Sequence, residues 1–191
     1  MTRKLQILFT VLALVFVSLV DYSNTQTVYS MPGDAPFYVK NIVADTSMRF
    51  KRNVISGLGA TRTLTALESG STVLLDRAAG IVLTLPAPSP GLWYDIKTTV
   101  TVTSNAYKFS TGTQGTDFFN GGVVNVDTDT SNAVAVHTCD GSTHDNVSMN
   151  GTTTGGLIGS NFRLTAITAT LWLIEGMNQA NGTVATACAT S

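Results

Sequence analysis

The chain has 191 residues, 43% of them hydrophobic, which suffices for one domain with a substantial core. Charged residues make up only 12%, about half the usual share, and the formal net charge is -1. Nine of the 11 Lys and Arg lie at or before Lys97, but that asymmetry is too mild to imply a nucleic-acid binder.

Residues 1–20 read MTRKLQILFTVLALVFVSLV. Arg3 and Lys4 precede an apolar run, Leu5 to Val20, in which only Gln6, Thr10 and Ser18 are polar. The layout is that of a signal peptide, yet Asp21-Tyr22-Ser23 follows where a small-x-small cleavage site would sit. As a helix the run spans ~24 Å at ~1.5 Å per residue, short of a ~30 Å hydrocarbon core. A cleaved signal, a membrane anchor and an arm buried in partner subunits all remain open. Left exposed on a monomer, so large an apolar surface would drive association. The expectation is a retained anchor working through Leu5, Ile7, Leu8, Phe9, Leu12, Leu14, Phe16 and Leu19.

Residues 21–60 read as an extended tether. No helical or strand period persists there, and Pro32, Pro36 and the basic cluster Arg49-Phe50-Lys51-Arg52 interrupt it. The cluster is either a solvated patch or a dock for an acidic surface, the first being the commoner fate of short charge runs.

From Arg62 onward the dominant period is two. Ile81, Leu83 and Leu85 form one apolar stripe. Leu92, Tyr94, Ile96, Val100 and Val102 form another, with Trp93, Asp95, Lys97 and Thr99 on the opposite, solvated face. Between the stripes stand Pro86, Pro88 and Pro90, which cannot donate to a ladder, so the first strand must stop or leave its sheet there. Gly91 then lets the chain turn into the next strand. Further strands are expected at 71–76, 106–110, 122–127, 132–138, 145–149, 162–174 and 183–188. Turn signals such as Asp140-Gly141, Asn150-Gly151 and Asn181-Gly182 separate them. The expected fold of residues 61–191 is all-β: an antiparallel β-sandwich or jelly-roll-like domain.

Candidate chemistry is sparse. HTCDGSTHD, residues 137–145, offers His137, Cys139, His144 and Asp145 as weak candidates for a metal site, but no second Cys/His knuckle completes a zinc set. Asp127 and Asp129 lack the spacing of a calcium loop. Cys139 and Cys188 either pair or are two small buried hydrophobes. No G-x-S-x-G elbow, phosphate loop or dinucleotide fingerprint occurs. A glycosidase needs two carboxylates on one cleft, which Asp76, Asp95, Asp117, Asp140 and Glu175 leave formally open. The expectation is no catalytic residue, no cofactor and no bound metal.

The stretch LTALESGSTVLLDRAAGIVLTLPAPSPGLWYDIKTTVTVTSNAYKF, residues 64–109, resembles a pattern in structural proteins of tailed and marine bacteriophages. There, a strand ending in Asp is followed by Ala-Gly, an apolar strand running into Leu-Pro, and a Gly before an aromatic strand. NFRLTAITATLWLIEGMNQANGTVAT, residues 161–186, fits the same pattern. The resemblance covers about half the chain and implies a virion surface component: a capsid decoration or head-fibre protein without a catalytic set. It would be a homo-oligomer, a trimer being one form, bound to a major capsid protein or other particle subunits. No nucleic acid is involved, and membrane contact is open only through residues 5–20. The rival readings are a filament subunit with a hydrophobic helical core and a carbohydrate-binding module using Trp93 and Tyr94.

Overall fold

The computed structural model describes residues 52–129 and 134–191. The expected anchor and most of the expected tether lie outside them, as do Arg49, Phe50 and Lys51. The described residues form an all-β structure of two mixed sheets, with one 3-10 turn at Ala66–Glu68. In chain order the strands are β1 (Val54–Ile55), β2 (Thr61–Thr63), β3 (Thr72–Leu75), β4 (Ile81–Thr84), β5 (Trp93–Thr98) and β6 (Tyr107–Ser110). Then come β7 (Phe118–Asp127), β8 (Ala135–Asp140), β9 (Asn146–Met149), β10 (Asn161–Ala166), β11 (Leu171–Ala180) and β12 (Cys188–Ala189). One sheet has the order β1-β3-β5-β10-β11-β7-β8, the other β12-β9-β6-β4-β2.

The antiparallel expectation is corrected to mixed. Among the described residues β1–β3, β3–β5, β2–β4, β4–β6 and β7–β11 pair in parallel, as many ladders as pair antiparallel. The cause lies in the path of the first six strands, which alternate between the sheets. A chain that crosses to the other sheet and back re-enters the first running in its original direction, so each return strand lies parallel to its predecessor. The crossing strand does the work that a helix does in a βαβ unit.

The proline corner is one of these crossings. Leu85 still donates to Ser110 O at 2.9 Å in the five-stranded sheet, whereas Gly91 N–H reaches Ala166 O at 3.1 Å in the seven-stranded one. The prolines therefore span the step between sheets, and Gly91 makes the turn at φ 96.

Alternation along β5 places Tyr94, Ile96 and Thr98 inward. Val100 departs from the expected face and is 36% exposed. The strand ends at Thr98, because the N–H groups of Thr99 and Val100 both turn to Leu75 O, at 3.0 and 3.2 Å. Val102 is buried again. The single strand expected at 162–174 is a hairpin, β10–β11. Thr168 Oγ1 accepts from Thr170 N–H at 3.2 Å and Ile167 N–H donates to Leu171 O at 3.0 Å, closing a turn that contains neither Gly, Asn nor Pro. The boundary expected between residues 60 and 61 also moves: β1 pairs with β3, and Leu58 is buried in the core.

One core joins the inward faces of both sheets. Tyr94, Ile96, Phe119, Val123, Phe162, Leu164, Trp172 and Ile174 come from the seven-stranded sheet; Ile81, Leu83, Tyr107, Phe109, Val147 and Met149 come from the other. Phe109 and Phe162 meet edge-on at 5.4 Å, and Tyr94 lies 5.9 Å from Trp172. Burial pushes the Tyr94 hydroxyl up to about 12, with the Glu68 charge adding to it; the hydroxyl donates to Thr65 O at 2.7 Å.

Candidate functional site

The outward face of the seven-stranded sheet carries the charged groups worth a functional argument. Register aligns them in rows across the strands. Asp95 (β5), Arg163 (β10) and Glu175 (β11) form one row, which continues through Gly122 (β7) to Thr138 (β8). Beside it run Lys97, Asn161, Met177, Val124 and Val136. On the far side of the Asp95 row stands Trp93, opposite Thr165.

Asp95 is the fixed point. It faces outward yet is only 6% exposed, because two guanidiniums cover it. Arg163 binds it in bidentate fashion, Nε to Oδ1 at 2.8 Å and an Nη to Oδ2 at 3.0 Å, and Arg52 donates to Oδ2 as well. Both guanidiniums lie over the Trp93 ring, at 4.9 and 5.0 Å from its centroid. The Arg163 hydrogen bonds hold the Asp95 carboxyl below its ordinary range; burial opposes this, and the charges of Arg163 and Arg52 reinforce it. Arg52, the last residue of the basic cluster, thus docks on an acidic group of its own chain. A carboxyl so placed is held as an anion, the opposite of what the general acid of a glycosidase needs.

Next to this cluster lies a groove of about 350 Å³, lined by Asp95, Lys97, Asn161, Phe162, Arg163, Glu175 and Gly176. Among the described residues the side chains of Lys97 and Glu175 have no hydrogen-bond or salt-bridge partner. Glu175 draws on Arg163 only through space. Beyond Asn161 the second row turns apolar, and Met177, Val124 and Val136 lie exposed in line, Val136 by 66%.

The residues of the 137–145 loop do not converge. Cys139 forms a disulfide with Cys188, tying β8 of one sheet to β12 of the other over a sequence separation of 49. His137 lies half-buried on β8. His144 Nδ1 accepts the Asp140 N–H at 3.0 Å. Asp145 is buried, accepting from Ser191 N–H at 2.7 Å, Ser191 Oγ at 2.8 Å and Gly115 N–H at 3.0 Å. Burial pushes the Asp145 carboxyl up, but those bonds outweigh it and hold it below its usual value. Among the described residues no group of three His, Cys, Asp or Glu is placed to hold a metal. Asp127 accepts the Asp129 N–H at 2.8 Å.

Other carboxylates serve as local clamps. Asp140 accepts from Ser142 and Thr143 N–H at 2.9 and 2.8 Å, closing its hairpin loop. Asp76 accepts Gly57 N–H at 2.6 Å, and Asp117 accepts Thr113 N–H at 3.2 Å. Glu68, which nothing in the sequence pairs, caps the 3-10 turn through Thr65 N–H at 2.8 Å and bonds Arg62. The anchoring residues Leu5, Ile7, Leu8, Phe9, Leu12, Leu14, Phe16 and Leu19 lie outside the described residues.

Sequence reading missed the cluster of Arg52, Asp95 and Arg163 and the groove beside it. One signal was present, the outward period of Trp93, Asp95 and Lys97. The partners come from strands whose pairing the sequence does not announce. Of the sugar-stacking pair, Tyr94 faces the core and Trp93 already carries two guanidiniums. Comparison with protein-family profiles, with curated proteins and with solved structures returns no match.

Proposed function

We propose that the protein is a non-enzymatic virion surface component, a capsid decoration or head-fibre protein held in its particle through the N-terminal segment. Its partners are further copies of itself and a major capsid protein. The observation that carries this reading is the union, in one chain, of the apolar run Leu5–Val20 with a low-charge β-domain whose core is built from residues 58–188. The phage-like pattern over residues 64–109 and 161–186 points the same way. The sheet-to-sheet disulfide suits a protein exposed to an oxidising exterior. Carboxylates tied to backbone turns and arginines favour a structural role over a catalytic one. The exposed apolar pair Val124 and Val136 is a surface of the kind that subunit contacts cover.

The finer fold belongs to this proposal too: the two sheets stack face to face as a β-sandwich. The edge-on contact of Phe109 with Phe162 and the Cys139–Cys188 link between sheets support it. The parallel ladders set it apart from a jelly roll, whose strands pair antiparallel.

Mass spectrometry of purified particles tests the reading directly, through the mature N-terminus and copy number of the chain. Deletion of residues 1–20 is expected to leave a folded β-domain that no longer enters particles. Incorporation of the truncated chain at normal copy number would show that anchoring lies elsewhere and that the segment is a signal peptide. Absence of the full chain from purified particles would overturn the virion role itself.

A further inference from the structure

The groove beside Asp95 is a built feature that the virion reading does not use. Its floor is sheet backbone at Phe162 and Gly176, and its rim is formed by the outward side chains of Lys97, Asn161, Arg163 and Glu175. One wall is rigid: the Arg163 guanidinium is fixed by its bidentate bond to Asp95 and lies over Trp93. The charged groups lining the groove are Lys97 and Arg163 against Asp95 and Glu175, which sum to zero, and the heads without a side-chain partner among the described residues are one ammonium, on Lys97, and one carboxylate, on Glu175. They stand two strands and two residues apart, about 12 Å between Cα atoms at sheet spacings of ~4.8 Å across and ~3.4 Å along.

Three features define the ligand. The open charges cancel, so a simple anion meets Glu175 and a simple cation meets Lys97 and Arg163; a neutral molecule meets neither penalty. Lys97 offers only donors, Glu175 only acceptors, and Asn161 both, which suits a ligand whose groups donate and accept at once, as hydroxyls do. Finally, Met177 lies directly opposite Asn161 and is 36% exposed, adding an apolar contact at the groove's edge. A sugar ring combines these properties, with hydroxyls around its rim and C–H groups on its faces. Its length lets an oligosaccharide run across the strands from Lys97 toward Glu175.

We infer that the outer groove formed by Lys97, Asn161 and Glu175 on β5, β10 and β11 is a binding site for a neutral oligosaccharide. It binds by hydrogen bonding from the sheet face, not by stacking on Trp93. The inference goes beyond the virion reading and does not rest on it, since a groove of this chemistry holds a sugar whether or not the chain sits in a particle.

The test uses the full-length protein and a panel of neutral tetrasaccharides built from glucose, mannose, galactose or N-acetylglucosamine, with sialylated and sulfated glycans for contrast. Binding is screened on an array and quantified by calorimetry. At least one neutral glycan is expected to bind. Lys97→Ala and Glu175→Gln should each weaken that binding at least tenfold while leaving the melting temperature within two or so degrees of the parent, since both side chains lie outside the core. Lys108→Ala, exposed on β6 of the five-stranded sheet, should leave binding unchanged. The inference fails if no neutral glycan binds, if only acidic glycans bind, or if both groove variants bind as the parent does. Particle incorporation is a separate measurement, so loss of sugar binding and loss of the virion role are told apart.

Discussion

The two halves of the described domain solve the problem of strand register differently. In residues 52–110 every strand crosses to the opposite sheet, and the ladders β1–β3–β5 and β2–β4–β6 are all parallel. In residues 118–191 consecutive strands form the antiparallel pairs β7–β8 and β10–β11, and a disulfide joins β8 to β12. A hairpin turn fixes the register of its own two strands, because loop length and turn type leave few alternatives. A crossing connection fixes no such thing, so the first half must set register by other means.

It does so with polar ties outside the ladders. Tyr94 Oη donates to Thr65 O, Tyr107 Oη donates to Val100 O at 2.8 Å, and Gly70 N–H reaches Trp93 O at 2.8 Å. The lesson is that parallel strands fed from the opposite sheet are located by polar ties and core side chains, whereas the second half sets the parallel β7–β11 ladder beside two antiparallel pairs and one covalent bond. The Asp95 cluster joins the two, since Arg52 comes from the first half and Arg163 from the second.

The sharpest way to break this contrast is to remove the disulfide. On the chain-entropy rule, closing a loop of 49 residues stabilises by about 4 kcal/mol, and native disulfides typically contribute about 2–4 kcal/mol. Urea unfolding with and without reductant should show a loss in this range. Hydrogen exchange should place the loosening at β8 and β12 while β3, β4 and β5 keep their protection. Equal loss across both halves would mean the staple supports the whole core and not one half of it.

Asp95→Asn tests the link between the halves. With both guanidiniums about half exposed, the loss is discounted for solvent to about 1–2 kcal/mol at neutral pH. The sign with pH follows from the lowered carboxyl pKa in the folded state. The stabilisation is present above the unfolded value of ~3.9 and disappears as pH falls through the lower folded value. Melting temperatures from pH 7 to pH 2 should therefore fall less steeply in the variant than in the parent, and parallel profiles would remove Asp95 from the account.

Tyr94→Phe carries the smallest expected effect, about 0.5–1.5 kcal/mol for one hydrogen bond. Burial raises the Tyr94 pKa to about 12, so its stabilisation is complete below ~10 and is lost as pH rises through the folded value. Chemical denaturation at pH 7 and pH 11 should show a shallower alkaline decline in the variant. A variant as stable as the parent at both pH values would mean that the Tyr94–Thr65 bond adds nothing to the stability of the first half.

Much of the fold is legible in the sequence by itself. The period of two from Arg62 fixed strands as the elements, and the Ile81, Leu83, Leu85, Tyr94, Ile96 and Val102 positions marked part of the core. The prolines and Gly91 marked a corner because their backbone restrictions act locally, whatever surrounds them. Tertiary structure alone decided the rest. Short strands separated by turns look the same whether the chain folds back beside itself or crosses the core, so parallel and antiparallel ladders have one local signature. The turn at Thr168 was invisible because a threonine hydroxyl replaced the usual turn residues. The pairing of Cys139 with Cys188 depended on two sheets bringing their ends together. Asp95, Arg163, Lys97 and Glu175 became neighbours only through the register of β5, β10 and β11, a long-range arrangement that local alternation places on a face but cannot align.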